Sequence, residues 1–284
     1  MTLLHAHDYG GEGPQLVLLH GYGRSHADWD AAAPLLTAHH RVLALDHPGH
    51  GRSPGISPWT MPDVLRHITD TLDAQGVPEA VVVGHSLGGL VAVEYARAHP
   101  DRARAAVNLD GFWWGGSYPG AERVSEMLLA SAGVIAPAEY IEGQVAHSAR
   151  LGIPAARAEA AARAAARPLP DGTWQTLPER AAARGILGEL HRLGALGVTP
   201  WLDGIEAPLL LVQAGRSLPS APGMEWFSAF NTRFAGEVAD DLAVLGDTRP
   251  TIGVHRIDAT HLMHVEAPEA VTTLVTDFVR SLPG

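Results

Sequence analysis

Ala80-Val81-Val82-Val83-Gly84-His85-Ser86-Leu87-Gly88-Gly89-Leu90-Val91-Ala92-Val93-Glu94-Tyr95-Ala96 is the stretch from which the rest of the chain is read. Its short apolar run, rich in valine, reads as a buried strand, and residues 90–96 read as a helix. Between them lies G-x-S-x-G. A serine at so tight a strand-to-helix turn stands proud of the sheet in a strained conformation, with a helix N-terminus beneath it. Gly84 and Gly88 are needed because a side chain at either place would collide where strand and helix approach closely. An ordinary turn rich in small residues has the same composition, but the flanking strand and helix favour a catalytic elbow. Ser86 is the expected nucleophile.

Working outward, residues 15–19 form a second buried strand that runs into His20-Gly21-Tyr22-Gly23. A helix is expected around 29–39. The apolar run 41–45 then ends in Asp46-His47-Pro48-Gly49-His50-Gly51-Arg52-Ser53. Met61, Val64, Leu65, Ile68 and Leu72 recur at helical spacing, with Thr60 and Asp63 to cap the start and Gly76 and Pro78 to stop the end. Beyond the serine, residues 104–109 read as a strand that closes on Asp110-Gly111. Residues 3–9 suit an edge strand. This alternation predicts a parallel sheet covered on both faces.

The rhythm breaks from 112 to 204, where no convincing strand is found and helices are expected over 122–132, 138–151 and 155–167. Strands resume at 208–212 and 253–257. A closing helix shows Val271, Leu274, Val275, Phe278, Val279 and Leu282 on one face. The predicted fold class is therefore α/β, a doubly wound and mostly parallel sheet. Residues 1–111 and 205–284 make its core, and 112–204 a helical insertion.

With 284 residues, 46% of them hydrophobic, the chain suits one large domain with such an insertion. A formal charge of −11 argues against nucleic acid and anionic membrane surfaces as partners. The absence of cysteine excludes a disulfide framework and a thiolate metal site. The N-terminal residues lack a basic region followed by an apolar stretch, so a cytoplasmic location is expected. His261 and His264, without a carboxylate at suitable spacing, make a poor metal site. No metal and no cofactor are expected.

Four motifs, His20 to Gly23, Asp46 to Ser53, Gly84 to Gly89, and Thr260-His261 followed by Val265-Glu266-Ala267-Pro268, make the chain resemble the α/β-hydrolase superfamily over nearly its whole length. The resemblance implies that 112–204 is the inserted cap. It implies a serine hydrolase in which His261 takes the proton of Ser86, because serine alone is a weak nucleophile. Leu87, at the helix N-terminus, and Tyr22, in the loop after 15–19, would supply the two oxyanion-hole amides. The acid usually follows the strand corresponding to 209–212, yet this chain reads Gln213-Ala214-Gly215-Arg216-Ser217-Leu218-Pro219 there. Haloalkane dehalogenases and certain lactonases place it one strand earlier, which here is Asp110. Glu225, Asp240, Asp241 and Asp247 remain alternatives. Asp46 is expected to hold its own loop.

Trp113, Trp114, Tyr118, Trp174, Trp201 and Trp226 cluster in or beside the insertion. Such residues either line a pocket or pack a cap onto its core. Gly21, Trp113 and Trp114 are the pocket candidates. The expected substrate is a small-to-medium uncharged ester, lactone or thioester. Carbon–carbon bond hydrolysis and cofactor-free perhydrolysis use the same triad, and a non-catalytic small-molecule receptor uses the same fold.

Overall fold

The computed structural model describes residues 2–220 and 223–283. The chain opens with β1 (Ala6–Gly10) and β2 (Gln15–Leu19), followed by a single tight turn of helix at His26–Trp29 and by α1 (Ala33–Leu36). Then come β3 (Arg41–Leu45), α2 (Met61–Ala74), β4 (Ala80–His85), α3 (Leu87–Ala98) and β5 (Ala103–Leu109). The chain next leaves the sheet through α4 (Ala121–Ala130), β6 (Val134–Ile135), α5 (Pro137–Ala149), α6 (Ala155–Ala164), β7 (Ala166–Pro168), β8 (Trp174–Thr176), α7 (Arg180–Gly194) and α8 (Val198–Trp201). It returns with β9 (Leu209–Ala214), α9 (Glu225–Thr248), β10 (Ile252–Ile257), α10 (Met263–Glu266) and α11 (Pro268–Ser281).

Seven strands form the main sheet in the order β1-β3-β2-β4-β5-β9-β10. Only β1 runs antiparallel to its neighbour; β2, β3, β4, β5, β9 and β10 are mutually parallel. Alternation of side chains along the strands divides the core in two. Val17, Leu19 and Val82 face α2 and α3, packing with Ile68, Val91 and Tyr95. Leu16, Leu18, Val81 and Val83 face the other way, onto Trp29 and onto Val271 and Val275 of α11. Both faces being covered, the inner strands are continuous apolar runs.

The ladder also sets up the site. His85 pairs with Leu109, and Leu109 with Val212, so the carboxyl ends of β4, β5 and β9 lie side by side. Open parallel sheets hold their ligands at that edge.

Three elements differ from the sequence reading. The helix expected over 29–39 is a short tight turn and the four-residue α1, because Pro34 starts it and its hydrogen bonding ends at His40. The stretch 112–204 contains a three-stranded antiparallel sheet, β6-β8-β7, whose two- and three-residue strands are too short to show a period. The third is α9, 24 residues long, which the sequence reading left unnamed between two strands.

Candidate active site

Ser86 sits between β4 and α3 with φ 53° and ψ −118°, a conformation that L-residues rarely adopt. The turn is closed by glycine. A Cβ on Gly84 would lie 1.9 Å from the Gly88 carbonyl oxygen, and one on Gly88 would lie 2.2 Å from that of Leu19. The main chain holds the serine from both sides: its N–H donates to Leu109 at 3.0 Å, and its carbonyl accepts from Gly89 at 2.9 Å.

His261, in the loop after β10, meets Asp110 at the end of β5. Its Nδ1–H donates to Asp110 Oδ2 at 2.7 Å, which leaves Nε2 with the lone pair a base requires. Asp110 Oδ1 accepts from the Ala214 amide at 3.0 Å, and the Asp110 amide donates to Val212 at 2.7 Å. The end of β9 thus supplies Asp110 with a main-chain donor. Asp110 itself has φ 54°. Glu225, Asp240, Asp241 and Asp247 all lie on α9, and none bonds His261. Among the described residues no side-chain hydrogen bond joins Ser86 Oγ to His261; such contacts tighten in complexes with substrate.

Two supports of this pair were not picked out from sequence. Asn108, fully buried, brackets the acid: its Nδ2 donates to the Gly111 carbonyl at 2.9 Å and its Oδ1 accepts the Gly111 amide at 2.6 Å. Its signal was an amide residue at the next-to-last position of an otherwise apolar strand end, Ala105-Ala106-Val107-Asn108-Leu109. Glu266 holds the other loop, accepting from the amide and hydroxyl of Thr260 at 2.9 and 2.8 Å while pairing with Arg216. The histidine of the serine motif contributes as well: His85 Nε2–H donates to the His261 carbonyl at 2.6 Å.

Facing the serine, a Cβ on Gly21 would lie 3.1 Å from His85 Nδ1 and 3.3 Å from Ser86 Cβ, a tight fit that a side chain there would force the neighbours to relieve. The Gly21 carbonyl accepts from His20 Nδ1 at 2.7 Å. Because the peptide is planar and trans, that bond turns the Tyr22 N–H to the opposite side. Tyr22 N–H has no partner among the described residues, and Leu87 N–H heads a helix and has no intrahelical acceptor. The two expected oxyanion donors are therefore both uncommitted. His20 is oriented in turn, its Nε2 accepting the His47 amide at 3.0 Å.

Asp46 lies beneath this loop. It accepts from the amide and ring Nδ1 of His26, at 2.6 and 2.9 Å, and from the Arg52 amide at 2.9 Å. Burial opposes its charge, but these donors and nearby His20 hold the carboxyl well below the usual range.

Trp113 stacks on Trp114 with centroids 4.0 Å apart, and Trp114 is buried edge-on against Phe230 and Phe234 of α9. Trp113 is half-buried. A cavity of about 460 Å³ lies elsewhere, between α2, α3 and α7, and Ser86 does not line it. The chemistry is better located by the Asp110–His261 bond than by that volume.

A family model described as alpha/beta hydrolase fold matches residues 14–129. The chain is 31% identical over 215 residues to “Putative carbamate hydrolase RutD” of Variovorax paradoxus (strain S110), covering 74% of this chain and 77% of that protein. It is 40% identical over 100 residues to the pimeloyl-[acyl-carrier protein] methyl ester esterase of Klebsiella pneumoniae (strain 342), covering 35% and 37%. Matches to such first curated relatives span only 37–52% of those proteins' own lengths. The crystal structure of E-2-(acetamidomethylene)succinate hydrolase superposes with a TM-score of 0.76 at 23% identity, covering 98% of this chain and 95% of that one. The chain belongs to the α/β-hydrolase family. Among the described residues no helix is long and apolar enough to cross a membrane.

Proposed function

We propose that the protein is a serine hydrolase that cleaves a small-to-medium uncharged ester, lactone or thioester through an acyl-enzyme on Ser86. The observation that carries this reading is the 2.7 Å bond from His261 Nδ1–H to Asp110, at the sheet edge where Ser86 stands strained at its elbow. His261 Nε2 takes the Ser86 proton as Oγ attacks the acyl carbon. The Tyr22 and Leu87 amides stabilise the oxyanion, and the imidazolium then protonates the leaving group. Water, activated by the same histidine, releases the acid and restores the serine. Asp110 keeps the tautomer and stabilises the imidazolium. Residues 112–204 act as a cap over this edge, with Gly21 and Trp113 lining the pocket and Trp114 backing it. The curated relative named a methyl ester esterase supports an ester as substrate.

Hydrolysis of p-nitrophenyl acetate to octanoate by the wild type beside Ser86→Ala tests the reading. Serine-dependent turnover is expected, with a chain-length optimum that sizes the acyl pocket. Background rates in both proteins across the series would overturn it, and saturable binding without turnover would favour a receptor.

A further inference from the structure

Far from Ser86 in sequence, three imidazoles converge at the start of the chain. His5 immediately precedes the edge strand β1, and His7 is its second residue. The His26 ring lies with its centroid 5.0 Å from that of His5 and 4.9 Å from that of His7. One nitrogen from each of the three lies within 4.8 Å of the others. His5 Nε2 is buried without any hydrogen-bond partner, a costly state for a polar atom. His26 Nδ1 donates to Asp46 at 2.9 Å, leaving Nε2 as its basic nitrogen. A carboxylate behind an imidazole is the arrangement that orients metal-binding histidines and raises their basicity.

We infer that His5, His7 and His26 form a zinc(II) site, with Asp46 orienting His26 from behind and water completing the tetrahedron. Three nitrogens at 2.0–2.1 Å from one ion stand about 3.3 Å apart, so rotation of the side chains has to draw the cluster in by roughly 1.5 Å. An all-imidazole set selects zinc or a neighbouring late transition metal over magnesium and calcium, which take oxygen ligands. His7 is partly exposed and gives the ion its way in. Once bound, the ion ties the edge strand to the turn at His26–Trp29, and through Asp46 to the loop that ends at Ser53. The site is independent of the proposed hydrolysis.

The test is calorimetric titration of the chelator-treated full chain with zinc chloride, paired with thermal unfolding with and without zinc. One equivalent should bind, and Tm should rise with zinc concentration and return with chelator. His7 makes no side-chain hydrogen bond among the described residues, so His7→Ala and His7→Gln should unfold near the wild-type Tm in chelator. Both should bind zinc at least about 10-fold more weakly and lose the rise in Tm. His255→Ala, at an exposed position on β10, should behave as wild type. If His7→Ala fails to fold, the volume-preserving His7→Gln decides. No binding by the wild type, or equal binding by His7→Gln, overturns the site.

Discussion

The residue before Ser86 holds the loop of His261: His85 Nε2–H donates to the main-chain carbonyl of His261 at 2.6 Å. Burial, reinforced by His264 and His261 beside it, keeps the His85 ring neutral. The strand that leads into Ser86 therefore also fixes the loop that carries His261, the proposed base. His85→Ala should reduce kcat about 10- to 100-fold with KM little changed, because a misplaced base costs the chemical step. His85→Gln, which keeps an N–H donor, should recover part of the loss. Steady-state kinetics on p-nitrophenyl esters separates the two parameters.

Asp110→Asn presents an amide to His261 and favours the wrong tautomer. In a triad this costs about 10⁴-fold in kcat with the geometry retained. Asp240→Asn and Asp241→Asn on α9 should retain full activity. An active Asp110→Asn would move the acid elsewhere and refute its assignment.

Two glycines predict opposite effects on stability. A Cβ on Gly111 would meet the Ser86 carbonyl oxygen at 2.4 Å and Asn108 Oδ1 at 2.5 Å. Gly111→Ala should therefore destabilise by about 1–3 kcal/mol or more and disturb the acid. Gly188, exposed within α7, has nothing within 4 Å of its would-be Cβ. Gly188→Ala should stabilise by about 0.4–1 kcal/mol. Urea unfolding at constant m-value reads both.

Burial, with His20 adding in the same direction, pulls His50 down to about 3 from its ordinary 6.5. His20 and His47 are likewise lowered, chiefly by burial. The unfolded chain binds protons at these rings between the two values, and the folded chain does not. Their contribution to stability is therefore fully present above pH 6.5 and is lost as pH falls towards 3. His50→Gln should flatten the fall in stability across that window by up to about 1.4 kcal/mol per pH unit. The difference in urea midpoint between variant and wild type, followed against pH, isolates it from the carboxylates.

The sheet was legible because buried parallel strands are apolar runs bounded by turn residues, as with 15–19 and 80–83. The elbow was legible because its glycines are sterically required. Asp110 could be singled out because no carboxylate follows Val212 until Glu225. The donor that the end of β9 returns to Asp110, the Ala214 amide, is main chain and leaves no mark in the sequence. β6, β7 and β8, of two or three residues, are too short for a strand alternation to repeat. His5, His7 and His26 are joined only by the placing of β1 on the far side of β3, a pairing that no local spacing encodes.

Asp110 stands two residues before Phe112, where the chain leaves the sheet for the insertion. Any swing of the insertion is thus a lever whose short arm ends at the acid. The pair of hydrogen bonds between Asn108 and Gly111 lies between load and acid. They act as a strain-relief clamp, anchoring the cable just ahead of the contact it feeds. If residues 112–204 act as the proposed cap, its movements would be kept from the Asp110–His261 alignment by this clamp, and loosening Asn108 would couple the two.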